Sequence, residues 1–202
     1  DIVDAEQQRL RDSACRSCTN GVARSHLLSY EREGALLEEL FTHDGSGTLI
    51  AQNPYEQARS ADINDIASIV ELIKPLEDSG ALVKRSRERL EEEVGYFSIL
   101  ERDSRVLACA ALYPYEAENI GEVACVATHP DYRGAGRARQ LLDELLAEAK
   151  ALSLTHVFVL TTQSTHWFLE QGFETASLDD LPVEKQRLYN WQRNAAVLRR
   201  AV

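Results

Sequence analysis

Hydrophobic and polar positions alternate weakly over the first third of the chain and sharply after it. Residues 1–20 are mostly polar but read as a helix. "ARSHLLSY" (23–30) reads as a short strand, "GALLEELFTH" (34–43) as a short helix or strand, and the glycines of "DGSGT" (44–48) as a turn. "NPYEQARSA" (53–61) reads as a linker and a first strand. From Asp62, a helix cap, Ile63, Ile66, Val70 and Ile73 recur at helical spacing, with an end predicted near Pro75. Ser86 caps a second, charged helix in "SRERLEEEV" (86–94). "YFSILERD" (96–103) and "RVLACAALYPY" (105–115) predict an antiparallel pair, and "IGEVACVAT" (120–128) a third strand.

A long helix follows, its apolar stripe formed by Ala138, Leu141, Leu142, Leu145, Ala149 and Leu152. "THVFVLTT" (155–162) has the continuous apolar character of a strand buried on both faces. "STHWFLEQGF" (164–173) predicts a short helix capped by Ser164 and stopped by Gly172. In the tail, "LYNWQRNAAVLRR" (188–200) predicts a final strand with Tyr189, Trp191 and Arg193 on one face. The order is mixed α/β: helices, an antiparallel run, then a strand–helix–strand crossover.

Composition narrows the function classes. The 202 residues are 44% hydrophobic, enough for a packed core. A net charge of −11 argues against nucleic acid, so an anionic ligand has to be held by local arginines. No apolar run reaches the ~18 residues of a membrane helix, and the polar start carries no signal-peptide pattern; a cytoplasmic chain is expected. With no methionine, the sequence reads as a fragment, a processed chain or an edited sequence. Cys15 and Cys18 form a lone CxxC without a second ligand pair, so no metal is expected. Cys109 and Cys125 lie in apolar strands as buried thiols.

The chemistry concentrates in "GEVACVATHPDYRGAGRARQLLDELLAEAK" (121–150), where a glycine-bearing turn with three arginines opens directly into the long helix. A helix start concentrates unpaired N–H groups and partial positive charge, and glycines let a bound group approach the backbone. A phosphate or diphosphate suits that geometry. The turn is neither a P-loop nor a dinucleotide fingerprint; taken alone it is either an anion cradle or a turn with solvated arginines. In the strand before it, Glu122 is the one carboxylate between Ile120 and Thr128. It is either a buried proton acceptor, its charge disfavoured by desolvation, or a strand-end glutamate facing water.

This strand–turn–helix resembles the GNAT acetyltransferases, whose Q/R-x-x-G-x-G/A signature is matched by Arg133 to Ala138. The likeness covers roughly residues 55–202 and includes "FLEQGF" (168–173). It implies an α/β (α+β) fold, a mixed and mostly antiparallel sheet with helices on both faces. It implies acetyl-CoA as co-substrate, its diphosphate on Arg133, Gly134, Ala135, Gly136, Arg137 and Ala138. The preceding strand is expected to splay from its neighbour, with Cys125, Val126 and Ala127 along the pantetheine arm. A catalytic glutamate is implied at Glu122, acting directly or through water, and an oxyanion-binding N–H near Cys125 or Val126. Cys125 as a nucleophile is disfavoured, because no His/Asn partner accompanies it.

Several ordered blocks carry a more specific resemblance, to the bacterial N-acetylglutamate synthases: "IKPLEDSGALVKRSRERLE" (73–91), "ACAALYP" (108–114), "GEVACVATHPDYR" (121–133), "LTTQSTHWFLEQGF" (160–173) and "LPVEKQRLYNWQR" (181–193). Residues 15 to about 55 resemble the end of the amino-acid-kinase-like domain that precedes the acetyltransferase in that family. The implied organisation is a remnant of that domain plus a linker over 1–55 and a GNAT domain over 56–202, the C-terminal portion of a longer, homo-oligomeric protein. The implied reaction moves an acetyl group to the α-amine of L-glutamate, the first step of arginine biosynthesis. Arg85 and Arg193 are then implied as guanidinium forks for the two carboxylates; without the family either reads as an exposed arginine. His26, Glu39 and Gly45 match residues that flank a feedback L-arginine in the family's arginine-sensitive kinases, although His26 also reads as an ordinary strand histidine. Two positions depart from the family: Phe168 stands where many acetyltransferases have a proton-donating tyrosine, and Ala195 where a serine is common. The alternatives are a non-catalytic acyl-CoA-binding or regulatory module, or an acetyltransferase for another anionic amine.

Overall fold

The computed structural model describes residues 2–42, 45–52 and 56–202. His43 at the end of the predicted helix or strand, Asp44 of the predicted turn and 53–55 of the predicted linker lie outside the described residues. Backbone contacts divide the chain into two compact units, Asp1–Tyr55 and Glu56–Val202. No described helix is long and apolar enough to cross a membrane.

In the first unit α1 (Ile2–Thr19) precedes β1 (Arg24–Leu27), α2 (Ala35–Phe41) and β2 (Thr48–Ala51). The two strands pair antiparallel, Arg24 opposite Ala51. Cys18 is buried, its Sγ donating to the Ile50 carbonyl oxygen at 3.2 Å. β2 has no counterpart in the sequence pattern, because four residues give too short a run to show a period.

The second unit is a seven-stranded sheet flanked by helices on both faces. β3 (Gln57–Ser60), β4 (Phe97–Arg102), β5 (Arg105–Tyr115) and β6 (Ile120–Thr128) run antiparallel in chain order. β7 (His156–Thr161) joins β6 in parallel, as a crossover through α5 (Arg137–Ala151) requires. β9 (Ala196–Ala201) pairs antiparallel with β7 and with the short β8 (Glu174–Thr175).

Side-chain alternation assigns the faces. Ala108, Ala110 and Leu112 of β5 pack with Leu141, Leu142, Leu145 and Ala149 of α5, and with Phe168 of α6 (Thr165–Glu170). Val106, Cys109 and Ala111 face the other way, onto Ile66, Ile69 and Ile73 of α3 (Ile66–Asp78) and Leu90 of α4 (Arg87–Glu93). Each leucine buried from α5 contributes about 1.5–3 kcal/mol relative to exposure.

The structure corrects four sequence expectations. Asp62 caps a 3-10 turn rather than α3 itself, and Ile63 is exposed. α3 continues through Pro75 to Asp78: Pro75 sits near the helix end, and its carbonyl still accepts from Ser79 N–H at 3.1 Å. Leu152 leaves the stripe, 51% exposed, because α5 ends at Ala151. The final strand begins at Ala196; before it come α7 (Val183–Leu188) and turns through Tyr189, Trp191 and Arg193.

The start of α3 is tied to the sheet edge. Arg59 donates from two nitrogens to Asp65, at 2.7 and 2.9 Å, and also to Glu101. The Arg59 hydrogen bonds hold the Asp65 carboxyl below its ordinary value, against the opposing effect of burial. Asp65→Ala is expected to destabilise the unit by about 2 kcal/mol at neutral pH. Because the carboxyl ionises more readily in the folded chain, this contribution is complete above about pH 4 and is lost as pH falls through the lowered value. Denaturation of parent and variant at pH 7 and in acid checks this: their midpoints converge in acid.

Candidate active site

A fork in the sheet makes the site. β6 and β7 pair only at Ile120–His156, Gly121–Val157 and Glu122–Phe158, then part. At the closed end, Gly121 leaves no room for a side chain: a Cβ would lie 2.9 Å from methyl groups of Leu112 and Leu154. Beyond the fork the strands border a cavity of about 330 Å³, lined by 122–126 of β6 and 159–161 of β7.

β6 carries a bulge inside the fork. Cys109 and Ala111 of β5 oppose Ala127 and Ala124, so β6 holds one extra residue there. Cys125 takes it up with φ at 53°, in the left-handed region that non-glycine residues rarely adopt. Strict alternation is broken as a result: Ala124 and Cys125 both pack toward α3, while Val126 returns to the α5 face.

Glu122 sits where the strands part and is 7% exposed. Its Oε2 meets Lys185 Nζ of α7 at 2.6 Å and accepts from the Tyr115 hydroxyl at 3.4 Å. This glutamate therefore does not face open water. Neither Lys185 nor Tyr115 was found from the sequence; Lys185 lies in "VEKQRL", whose charges carry no spacing signal.

Arg85 and Arg193 line the same cavity as Glu122. Arg85 Nε is buried without a hydrogen-bond partner, and its Nη1 donates to the Val83 carbonyl oxygen at 3.1 Å. Burial works against the Arg85 charge, but Cys125, Tyr113, Glu122 and Glu93 together hold it above the ordinary arginine value. Arg193 Nη2 donates to the carbonyl oxygens of Gly80 and Ala81, at 3.2 and 2.9 Å, which leaves other guanidinium nitrogens for the cavity. Arg89 also borders it, donating to Glu93 at 2.7 Å.

Ala195 and Phe168 are both buried wall residues of this cavity. Phe168 packs edge-on against Trp167 and Phe173, so a core contact stands where a hydroxyl is common in the family. Cys125 is 1% exposed and its thiol is pushed up to about 11, chiefly by burial, against the pull of Arg85. Cys109 is pushed up further, again by burial. A neutral buried thiol makes a poor nucleophile. Of the four cysteines only Cys15 is exposed, so maleimide at neutral pH is expected to label one thiol rapidly and the other three roughly 10²-fold more slowly. Time-resolved mass spectrometry of the labelled chain reads the site and the rate.

The glycine turn has the backbone that the sequence demanded. Gly134 and Gly136 have φ of 84° and 76°, and a Cβ on either would meet nothing within 4 Å. Gly136 is the N-cap of α5 and no side chain caps the helix. The space outside the turn is thus open, and the first-turn N–H groups have no side-chain acceptor. Arg133 and Arg139 are exposed. Arg137 is not: it donates to both carboxylate oxygens of Glu56, at 2.9 and 2.6 Å, and to the Tyr132 carbonyl oxygen at 2.7 Å. Its side chain braces the turn instead of reaching outward, a correction to its expected role as added charge for phosphate.

In the first unit, His26, Glu39 and Gly45 meet. His26 Nδ1 lies 2.5 Å from Glu39 Oε1, and Glu39 Oε2 accepts from the N–H groups of Ser46 and Gly47 at 2.7 and 2.9 Å. The His26 hydrogen bond, then these amides, hold the Glu39 carboxyl below its ordinary value. Gly45 has φ of 63°, and a side chain there would strike the Glu39 carboxylate. Among the described residues no cluster of metal-ligating side chains occurs.

The profile of the acetyltransferase (GNAT) family matches residues 63–173. The chain is 54% identical to amino-acid acetyltransferases of Proteus mirabilis and Yersinia pseudotuberculosis, over 94% of its own length and 43% of theirs. It is 38% identical to a crystal structure of N-acetylglutamate synthase from Neisseria gonorrhoeae complexed with coenzyme A and L-arginine, with a TM-score of 0.87 over 98% of this chain and 45% of that one. A second structure of the gonococcal synthase, complexed with coenzyme A and N-acetyl-glutamate, is 40% identical with a TM-score of 0.71, over 97% of this chain and 46% of that one. The chain thus spans less than half the length of these relatives.

Proposed function

The chain belongs to the GNAT acetyltransferase family, and on that footing we propose that it moves the acetyl group of acetyl-CoA to the α-amine of L-glutamate. The observation that carries this reading is the meeting of Glu122, Arg85 and Arg193 around one cavity, at the point where β6 and β7 part. Acetyl-CoA supplies the acyl thioester. Its diphosphate lies on the N–H groups of the turn from Arg133 to Ala138, and its pantetheine arm follows Cys125, Val126 and Ala127 along the free edge of β6. Arg85, with a buried donor in need of an acceptor, and Arg193 take the two carboxylates of the amino acid.

Glu122 accepts a proton from the substrate ammonium, directly or through water. The freed nitrogen lone pair forms the N–C bond as the C–S bond breaks; sulfur leaves with the C–S electron pair, and the second proton lost from the nitrogen goes through solvent to the thiolate, giving coenzyme A. An N–H of the bulge near Cys125 or Val126 stabilises charge on the carbonyl oxygen. The gonococcal relatives, complexed with coenzyme A and with N-acetyl-glutamate, support both ligands. In the first unit, the His26–Glu39–Gly45 cluster contributes to a site for L-arginine, whose cationic groups a carboxylate suits.

Thiol release from acetyl-CoA tests the proposal. Turnover is expected with glutamate and to fall with aspartate, whose two carboxylates lie closer together; the comparison tests whether the two guanidinium groups select chain length. Turnover with spermidine or an N-terminal peptide, and none with glutamate, overturns it.

A further inference from the structure

α7 brings an additional cation to the cavity. Lys185 Nζ lies 2.6 Å from Glu122 Oε2, and both side chains line the cavity. That ion pair poses a chemical problem. Glu122 has to receive the substrate's ammonium, yet an ammonium of the protein already lies on it. Displacing Lys185 with the substrate amine alone leaves a partly buried lysine charge beside the incoming cation and without a partner, an unfavourable arrangement.

An amino acid solves this with its own zwitterion. It enters with one ammonium and, two bonds away, one α-carboxylate. If the ammonium takes Glu122 while the α-carboxylate takes Lys185, two ion pairs become two other ion pairs and no charge is left over. The exchange makes and breaks no covalent bond. The surroundings favour it. Arg85 and Arg193 have guanidinium nitrogens to offer the two carboxylates, so Lys185 shares the α-carboxylate with one of them, and Arg89 is occupied by Glu93. Lys185 is thus the cation whose partner is itself the candidate base.

We propose that Lys185 is a positioning residue that acts as an exchangeable counter-ion: it rests on Glu122 and moves to the α-carboxylate of the acceptor, freeing the base only when an amino acid is bound. This rests on the acetyl-transfer reading above and adds to it a reason why amines lacking an adjacent carboxylate are refused.

The test pairs a protein change with a substrate change. Thiol release is measured for L-glutamate and for L-isoglutamine, the 1-amide that keeps the amine and side-chain carboxylate but loses the α-carboxylate. The proteins are the parent, Lys185→Met and Lys185→Arg. Lys185→Met is expected to lower kcat/KM for glutamate about 10–100-fold and to raise the value for isoglutamine about tenfold or more, because its amine no longer strands a lysine charge. Lys185→Arg, which keeps the cation, is expected to restore the preference for glutamate. Where isoglutamine turns over too slowly, its inhibition constant against glutamate in the same three proteins takes the place of kcat/KM. Equal loss for both compounds, or no loss for either, overturns the proposal. Absence of thiol release by the parent with glutamate sinks the acetyl-transfer reading first, and the exchange with it.

Discussion

Glu122→Gln is expected to lower turnover by about 10²–10⁴-fold while leaving the affinity for acetyl-CoA nearly unchanged. Glutamine matches glutamate in volume and still accepts a hydrogen bond from Tyr115, which lies 3.4 Å from Oε2. It cannot take a proton from an ammonium, and it leaves Lys185, now 2.6 Å from a carboxylate, beside a neutral amide. The diphosphate cradle lies at the other end of β6 and across the turn, so coenzyme binding does not pass through this carboxylate. Steady-state thiol release gives the turnover and calorimetry gives the affinity. A variant that keeps more than a tenth of the parent rate would show that Glu122 is not the proton acceptor.

Gly136→Val is expected to weaken acetyl-CoA binding by about two orders of magnitude. The residue holds φ at 76°, a conformation that costs a side chain with a Cβ about 1–2 kcal/mol and a β-branched one more. The added methyl groups also enter the open space outside the turn, where the phosphates need close approach to the N–H groups; each charge-assisted hydrogen bond lost there removes about 1.5–3 kcal/mol. Because the site of change faces open space rather than the core, the folded chain is expected to survive with a lowered melting midpoint. Calorimetric titration with acetyl-CoA reads the affinity, and near-parental binding would move the diphosphate elsewhere.

What could be read in advance followed from local rules. Leu141, Leu142 and Leu145 mark α5 because an amphipathic helix repeats its apolar face. Gly134 and Gly136 mark the turn because a left-handed backbone selects glycine. The likeness of ordered blocks to a family pointed to Glu122, Arg85 and Arg193, which the structure brings to one cavity. The misses at the site depend on tertiary contact. Arg137 was expected to face a ligand, but its partner Glu56 lies 81 residues away in sequence. The Lys185–Glu122 pair joins two elements that share no sequence period. Cys125 breaks the alternation of β6 through a bulge opposite Cys109 and Ala111, and the smooth apolar run "VACVA" (123–127) hides it. The tail expectation failed because Tyr189, Trp191 and Arg193 alternate like a strand although they belong to turns, Tyr189 being anchored by its hydroxyl to the Ala195 carbonyl oxygen at 2.7 Å.

On the proposed reading, the fork between β6 and β7 also separates two kinds of recognition. Along the coenzyme path the contacts come from amides and from the absence of side chains at two glycines, so most substitutions there leave the lettering of the backbone intact. Around the acceptor the contacts come from side chains on the segments beside α4 and α7. Retargeting such a scaffold to a new amine therefore asks for edits on those segments and on wall residues such as Phe168 and Ala195, while the half that reads the common donor can be inherited untouched.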